Sequence, residues 1–258
     1  MAAGKQLRFL RRNLRTIATE VESGRWTLKH LDRVLYQKLL VTSEVYAQQT
    51  HLYRTTDRSV QNRIVSVSQP HIRPIVRGKA HAPTEFGAKI SVSLVGKCAS
   101  LDRLSWDAYY EGADLPMQAE SFRTRTGHYP AVVYADKAYT SRANRAWCTE
   151  RGIRLAGIGP GRPPTDPAAE RARRRAARDD EAARQPIEGV FGRGKRRWSL
   201  NRIMAKLACT AACVIALVFL VMNLEVLLTP MLLAIIIWAV TVILNQRSAD
   251  RLRTLGAT

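Results

Sequence analysis

Two stripes of apolar residues near the start of the chain recur at spacings of three and four, which is typical of amphipathic helices. The first stripe consists of Leu7, Leu10, Leu14, Ile17 and Val21. The second stripe, beyond a break at Ser23-Gly24, consists of Leu28, Leu31, Leu35, Leu39 and Tyr46. We predict that the two helices pack as an antiparallel hairpin over residues 1–54.

The pattern changes to strands that alternate with helices after a basic, proline-punctuated linker over residues 55–85. Residues 88–95 alternate with period two, and residues 98–106 are their predicted hairpin partner across Gly96-Lys97. The next elements are a helix over 115–125, a strand over 131–135, a helix over 141–151 and a strand over 153–158. The strand over 131–135 is continuously apolar, as expected where both faces are covered. This order predicts an α/β core over residues 86–228.

The last hundred residues combine a low-complexity segment with long apolar runs. A Gly/Pro-rich linker over 157–167 precedes an Ala/Arg-rich segment, 166–184, that is either a solvated helix or a flexible basic segment. Residues 207–225 favour a core helix packed on the sheet, with Cys209 and Cys213 among its core residues. We assign residues 229–258 to a separate apolar tail.

The charge of the chain points to a polyanionic partner. Lys and Arg number 41 against 21 Asp and Glu, which gives a net charge of +20. Nucleic acid is the first candidate because these cations are spread along the chain and interleaved with Tyr and Trp. The basic residues around the first apolar stripe are either solvated or in contact with DNA: Lys5, Arg8, Arg11, Arg12 and Arg15. We expect a cytoplasmic, nucleoid-associated protein without a signal peptide.

Two carboxylates are candidates for the chemistry. Asp136 follows the strand over 131–135, and open α/β sheets bind ligands at the carboxyl ends of their strands. A helix advances about 100° per residue, so Glu188 lies about 40° from Arg184 and about 20° from Lys195 on the other side. Two acids flanked by basic groups suit a divalent cation held against a phosphodiester. The simpler alternatives are a turn or cap role for Asp136 and an intrahelical ion pair for Glu188.

The residues after Glu188 weaken the simpler alternative for this acid. Gly189, Gly192 and Gly194 each cost a helix about 0.8–1 kcal/mol relative to Ala, which is tolerated where a backbone or substrate comes close. Phosphate contacts are expected from the three basic residues that follow, Lys195, Arg196 and Arg197.

Several motifs in order resemble a bacterial insertion-sequence transposase of the DDE class, insertion-sequence-5 type. The resemblance covers roughly residues 5 to 228. It rests on residues 62–79 (NRIVSVSQPHIRPIVRGK), 85–89 (EFGAK), 106–109 (WDAY), Ala135-Asp136-Lys137, the Arg184/Glu188/Lys195 set and the helix over 215–225.

The resemblance implies a ribonuclease-H-like core in which three carboxylates hold two Mg²⁺ or Mn²⁺ ions. It makes Asp136 the second carboxylate and Glu188 the third, both catalytic and both metal ligands. Glu181 stands where many family members have a tyrosine. The implied DNA-binding residues are Lys137, Tyr139, Arg184, Lys195, Arg196 and Arg197. The implied partners are double-stranded DNA, at the transposon ends and at the target, and further copies of the chain in a homo-oligomer.

The first aspartate of the family pattern has no counterpart on a strand before residue 60. Asp57 lies in a polar turn, and Asp107 follows later strands at the wrong topological place. We therefore expect an N-terminally truncated copy whose core lacks its first strand, with little or no strand transfer by this chain alone. One alternative is a non-catalytic remnant that binds DNA and dimerises.

The apolar tail leaves a second alternative open, a basic membrane protein. Residues 226–244 carry no charge and reach the length of a transmembrane helix. Arg247, Arg251 and Arg253 would then favour a cytoplasmic C-terminus. Otherwise the tail is a core helix or a dimer-interface helix.

Overall fold

The structure, a computed structural model, describes residues 2–76, 84–157 and 164–255, and within these ranges the side chains from Ala3 to Val242. Arg77 and Lys79 of the basic linker, and residue 158 of the last predicted strand, lie outside the described residues. By its contacts the chain divides into two compact units. The first comprises residues 1–90, 103–110 and 204–212, and the second comprises 91–102, 111–203 and 213–258. The predicted domain boundaries remain a prediction.

The first unit contains the predicted pair of N-terminal helices, α1 (Ala2–Glu22) and α2 (Arg33–Arg54). The second helix begins later than predicted, because Asp32 caps it by accepting hydrogen bonds from the backbone N–H groups of Val34 and Leu35, both at 2.8 Å. Leu28 therefore lies in a preceding 3₁₀ turn, Leu28–His30. A Cβ on Gly4 would lie 2.6 Å from the Tyr53 hydroxyl, so the start of α1 meets the end of α2. The helices are antiparallel, as predicted.

Burial within this helical pair is shallow. Leu7, Leu10 and Leu14 of the first apolar stripe are half-buried, and Ile17 is exposed. The only buried residue of α2 is Gln48, whose side-chain oxygen accepts a hydrogen bond at 2.9 Å from the backbone N–H of Ile64. This contact ties the linker to the helix. The five basic residues around the stripe are all exposed.

The described strands pair two by two. Strands β1 (Arg73–Val76) and β2 (Thr84–Gly87) are antiparallel, and β3 (Lys89–Val95) pairs with β4 (Cys98–Ser105) as the predicted hairpin. In the second unit, β5 (Val132–Val133) and β6 (Arg154–Leu155) pair in parallel. The chain is thus mixed α/β, whereas the continuous sheet of a ribonuclease-H-like core is not formed among the described strands.

A small core of the second unit lies between the parallel strands and two helices, α3 (Leu115–Thr126) and α4 (Arg142–Glu150). Its buried members are Leu115, Ala119, Cys148, Ile153 and Leu155. Strand β5 has two residues and is therefore shorter than the predicted strand over 131–135. Both of its residues are only half-buried, so it is not covered on both faces.

The Ala/Arg-rich segment is helical. It belongs to α5 (Pro167–Arg197), which begins where the Asp166 carboxylate accepts hydrogen bonds from the N–H groups of Ala168 and Ala169. Glu170 pairs with Arg173 and Arg174, each at 2.7 Å, and these arginines lower its pKa to about 2. Of the two alternatives for this segment, the helix is confirmed.

Helix α6 (Ala208–Leu255) is packed at its beginning and exposed further along. In the second unit it buries Ile215, Phe219 and Met222, and the Asn223 side chain bonds both backbone groups of Ala99 on β4 at 2.8 Å. The core helix predicted over 207–225 is confirmed. Cys209 and Cys213 are exposed, so their assignment to the core is wrong. They lie on the side of the helix opposite the buried stripe.

Candidate active site

Asp136 lies three residues beyond β5, at the carboxyl end of a parallel strand, as the sequence predicts. The side chain is exposed, and Oδ1 accepts a hydrogen bond at 2.6 Å from the backbone N–H of Lys137. That bond caps a 3₁₀ turn, Lys137–Tyr139. The capping alternative is therefore realised, and it occupies only one of the two carboxylate oxygens.

The side chain of Asn144 on α4 holds the turn that follows Asp136. This side chain is only 6% exposed and donates hydrogen bonds to the backbone oxygens of Tyr139 and Gly112, at 2.8 and 2.6 Å. Tyr139 itself packs against the small core. The backbone that carries Asp136 is thus fixed by buried contacts while its carboxylate faces solvent. No periodic pattern in the sequence indicated Asn144.

Glu188 lies on α5 and shares Arg184 with Glu181. The Arg184 guanidinium contacts Glu181 at 2.6 Å and Glu188 at 2.9 Å. Its side chain is 19% exposed, against 63% for Glu188. The hydrogen bonds that Arg184 donates to Glu181 and, second, to Glu188 raise the pKa of Arg184, and Arg184 in turn lowers the pKa of Glu181. The intrahelical ion pair predicted as the simpler alternative is present.

The remaining predicted DNA-binding residues have different surroundings. Lys137, Lys195 and Arg196 are exposed. Arg197 is exposed too, but it forms an ion pair with Glu225 of α6. Lys195 and Arg196, exposed in the last turn of α5, are compatible with phosphate contacts, and contact with DNA stays a prediction.

The three glycines of α5 differ in what surrounds them. Gly194 is buried, and a Cβ there would lie 3.0 Å from Leu200 and 3.3 Å from the sulfur of Met222. Close packing against α6 therefore explains this glycine. A Cβ on Gly189 would meet none of the described residues within 4 Å, so packing among them gives no reason for a glycine beside Glu188.

An ion pair that the sequence did not indicate anchors α5 to the parallel strands. Asp180 accepts two hydrogen bonds from the Arg154 guanidinium, at 2.8 and 3.1 Å, and a third at 2.9 Å from the backbone N–H of Gly157. The Asp180 side chain is 13% exposed. These hydrogen bonds lower the pKa of Asp180, and the bonds from Arg154 have the largest effect. Asp180 therefore fixes the helix that carries Glu188 beside β6.

The predicted site for a divalent ion requires oxygen ligands, and the structure shows which candidate ligands are present. Asp136 and Glu188 offer carboxylate oxygens, which Mg²⁺ prefers. Among the described residues, no group of three or more His, Cys, Asp or Glu is placed to hold a metal ion. Mg²⁺ usually binds one or two carboxylates together with water and substrate phosphates. The carboxylate groups of the two acids are of the type that such a site uses. They do not by themselves supply all the ligands of a metal ion.

Comparison with known proteins places the two acids in one family region. Residues 133–225 match the family model of the transposase DDE domain, and this region contains both Asp136 and Glu188. The match covers little more than a third of the chain, and it supports a DDE-type transposase and DNA transposition as its general function. Neither a curated protein nor a solved structure matches the chain.

Proposed function

We propose that this chain acts in DNA transposition through metal-dependent strand cleavage and transfer, with Asp136 and Glu188 as two of its acids. The observation that carries the proposal is the match to the DDE domain over residues 133–225, which spans both acids. The assignment to the insertion-sequence-5 type, and a ribonuclease-H-like core, rest on the sequence resemblance and are part of this proposal.

The geometry around Glu188 supports a role in binding a cation. Its pair with Arg184 lies within one helix and its side chain is 63% exposed, so the pair contributes only a few tenths of a kcal/mol. Arg184 retains Glu181 as its partner when Glu188 turns away. Glu188 can therefore exchange an arginine for a metal ion without leaving a buried charge unpaired.

Asp136 contributes a fixed position and a free oxygen. Its backbone turn is held by Asn144, and Oδ2 is available beside the capping oxygen. A bound Mg²⁺ or Mn²⁺ would activate the attacking oxygen and stabilise the leaving oxygen of the phosphodiester. In this proposal the chain holds the ion through Asp136 and Glu188. It binds DNA phosphates through Lys137, Lys195 and Arg196. Homo-oligomerisation and a cytoplasmic, nucleoid-associated location belong to the same proposal.

Strand transfer by this chain alone should be weak, because two carboxylates leave a two-metal site short of one ligand. The test is cleavage of the DNA that flanks the gene, with Mg²⁺, by the full chain and by its Asp136→Asn, Glu188→Gln and Asp107→Ala variants. We expect faint nicking, lost in the first two variants and unchanged in the third. Efficient turnover that Asp107→Ala abolishes would overturn the assignment of the acids.

A second candidate is a DNA-binding remnant without catalysis, which is favoured by the lack of a three-ligand group among the described residues. Both candidates predict binding that weakens steeply with salt, because phosphate contacts release counterions. Divalent-dependent nicking separates them. The remnant predicts the same DNA affinity for the full chain and for Glu188→Gln, with no nicking by either at any metal concentration.

A further inference from the structure

The second half of α6 carries an exposed apolar surface that no other described residue covers. From Leu227 to Trp238 every residue is exposed. Its large apolar side chains are between 49% and 69% exposed: Leu227, Leu228, Met231, Leu232, Leu233, Ile235, Ile236, Ile237, Trp238 and Val240. Soluble proteins rarely expose a contiguous apolar surface of this kind without a partner.

The surface runs around the whole helix. At about 100° per residue, the apolar positions from Leu227 to Val240 leave no side of the helix polar. A helix that docks on one partner is apolar on one stripe and polar on the other, and a helix that is apolar all round is buried or spans a membrane. A single second copy of α6 would therefore leave most of this surface in water.

The length and the ends of the segment fit a bilayer. The uncharged run from Val226 to Leu244 spans about 28 Å as a helix, close to the roughly 30 Å of a hydrocarbon core. Glu225 lies directly before the run, and Arg247 follows it by three residues. The family match also ends at Glu225, so the segment lies outside the DDE domain.

Both threonine hydroxyl groups inside the run are satisfied within the helix. The hydroxyl of Thr229 donates to the carbonyl oxygen of Glu225 at 2.7 Å, and that of Thr241 donates to Ile237 at 2.8 Å. Pro230 lies inside α6 and removes one backbone hydrogen bond, at the end of the run that lies closest to the water-containing headgroup region. Hydrocarbon requires such internal pairing, because it offers no other hydrogen-bond partner.

We propose that residues 226–244 insert into a lipid bilayer and anchor the chain to a membrane. The proposal goes beyond the function in DNA transposition and does not depend on Asp136 or Glu188. It replaces a free cytoplasmic location of the chain with a membrane-bound one. It accounts for a long helix, Ala208–Val242, that is only 28% buried in its most apolar window. Burial of one face of α6 on β4 stops at Asn223, and the apolar surface begins within a turn of that residue.

The test is flotation of the full chain, synthesised in a cell-free system, with phosphatidylcholine vesicles in high salt. Zwitterionic lipid and salt remove surface attraction by the basic residues. We expect the chain to float and to resist extraction by alkaline carbonate. Ile236→Arg should reduce the partition coefficient into the vesicles on the order of a hundredfold, because it places a charge at the centre of the run.

Met204→Arg is the matched control. It adds the same charge at a residue that is 74% exposed and outside α6, so flotation should be unchanged. The proposal is overturned if the wild-type chain stays out of the vesicles as a discrete oligomer, which would mean that further copies cover the surface. It is equally overturned if Ile236→Arg floats as well as the wild type.

Discussion

Asp180 and Glu188 lie about two turns apart on the same helix, and both pair with an arginine, yet their surroundings differ. Asp180 is 13% exposed and binds Arg154 and the N–H of Gly157 on another element. Glu188 is 63% exposed, and its partner Arg184 lies on its own helix. A pair that joins two elements holds the fold together, whereas a pair within one helix leaves its acid available to a ligand.

The sharpest test of this difference is to remove each acid in turn. Asp180→Ala should lower the free energy of unfolding by about 2–3 kcal/mol, because the Arg154 guanidinium and the Gly157 N–H lose a charged acceptor. Glu188→Ala, the matched control, should change it by no more than about 0.5 kcal/mol. Denaturation in urea measures both values. Equal losses would contradict the distinction between the two pairs.

Two glycines of α5 also differ in their surroundings, because Gly194 is packed and Gly189 is open. Gly194→Val should destabilise the chain by about 1–3 kcal/mol, because the new side chain meets Leu200 and Met222. Gly189→Ala should stabilise it by up to about 1 kcal/mol, since the site is open and Ala favours the helix. Thermal unfolding of the two variants checks both signs. A stabilised Gly194→Val would show that α5 and α6 do not pack there.

Acid pH gives a smaller, graded effect. Arg154 lowers the pKa of Asp180 in the folded chain, so this group contributes stability in full above its unfolded pKa of about 3.9. That contribution is lost as the pH falls through the lower, folded value. The stability gap between the wild type and Asp180→Asn should therefore narrow below about pH 4. A gap that stays constant down to complete acid unfolding would contradict the pairing.

Local patterns in the sequence predicted much of the fold. Apolar spacing predicted α1, and the hairpin β3–β4 follows from alternation and its Gly96-Lys97 turn. The helices α3 and α4 were also predicted. These features depend on residues that are close in sequence, so a single sequence is enough to predict them. The start of α2 was placed too early because the apolar stripe continues through a 3₁₀ turn, and the capping carboxylate of Asp32 decides where the helix begins.

Local patterns could not predict contacts between residues that are distant in sequence. Asn223 meets Ala99 across 124 positions, and Asp180 meets Arg154 from within a low-complexity run. Cys209 was misplaced because an apolar helix has no polar side to mark its orientation, and the sheet decides which face is buried. Asp136 and Glu188 were found from their local surroundings, but whether they share an ion depends on the tertiary arrangement.

The most direct measurement replaces Mg²⁺ with Fe²⁺ in the complex of the full chain with duplex DNA, and then adds ascorbate and peroxide. Hydroxyl radicals from bound iron cut the protein backbone near its ligands, whether or not the chain is catalytically active. We predict cuts near both Asp136 and Glu188, and the loss of both sets in Asp136→Asn. Cuts near Glu188 that persist in Asp136→Asn would contradict a shared site.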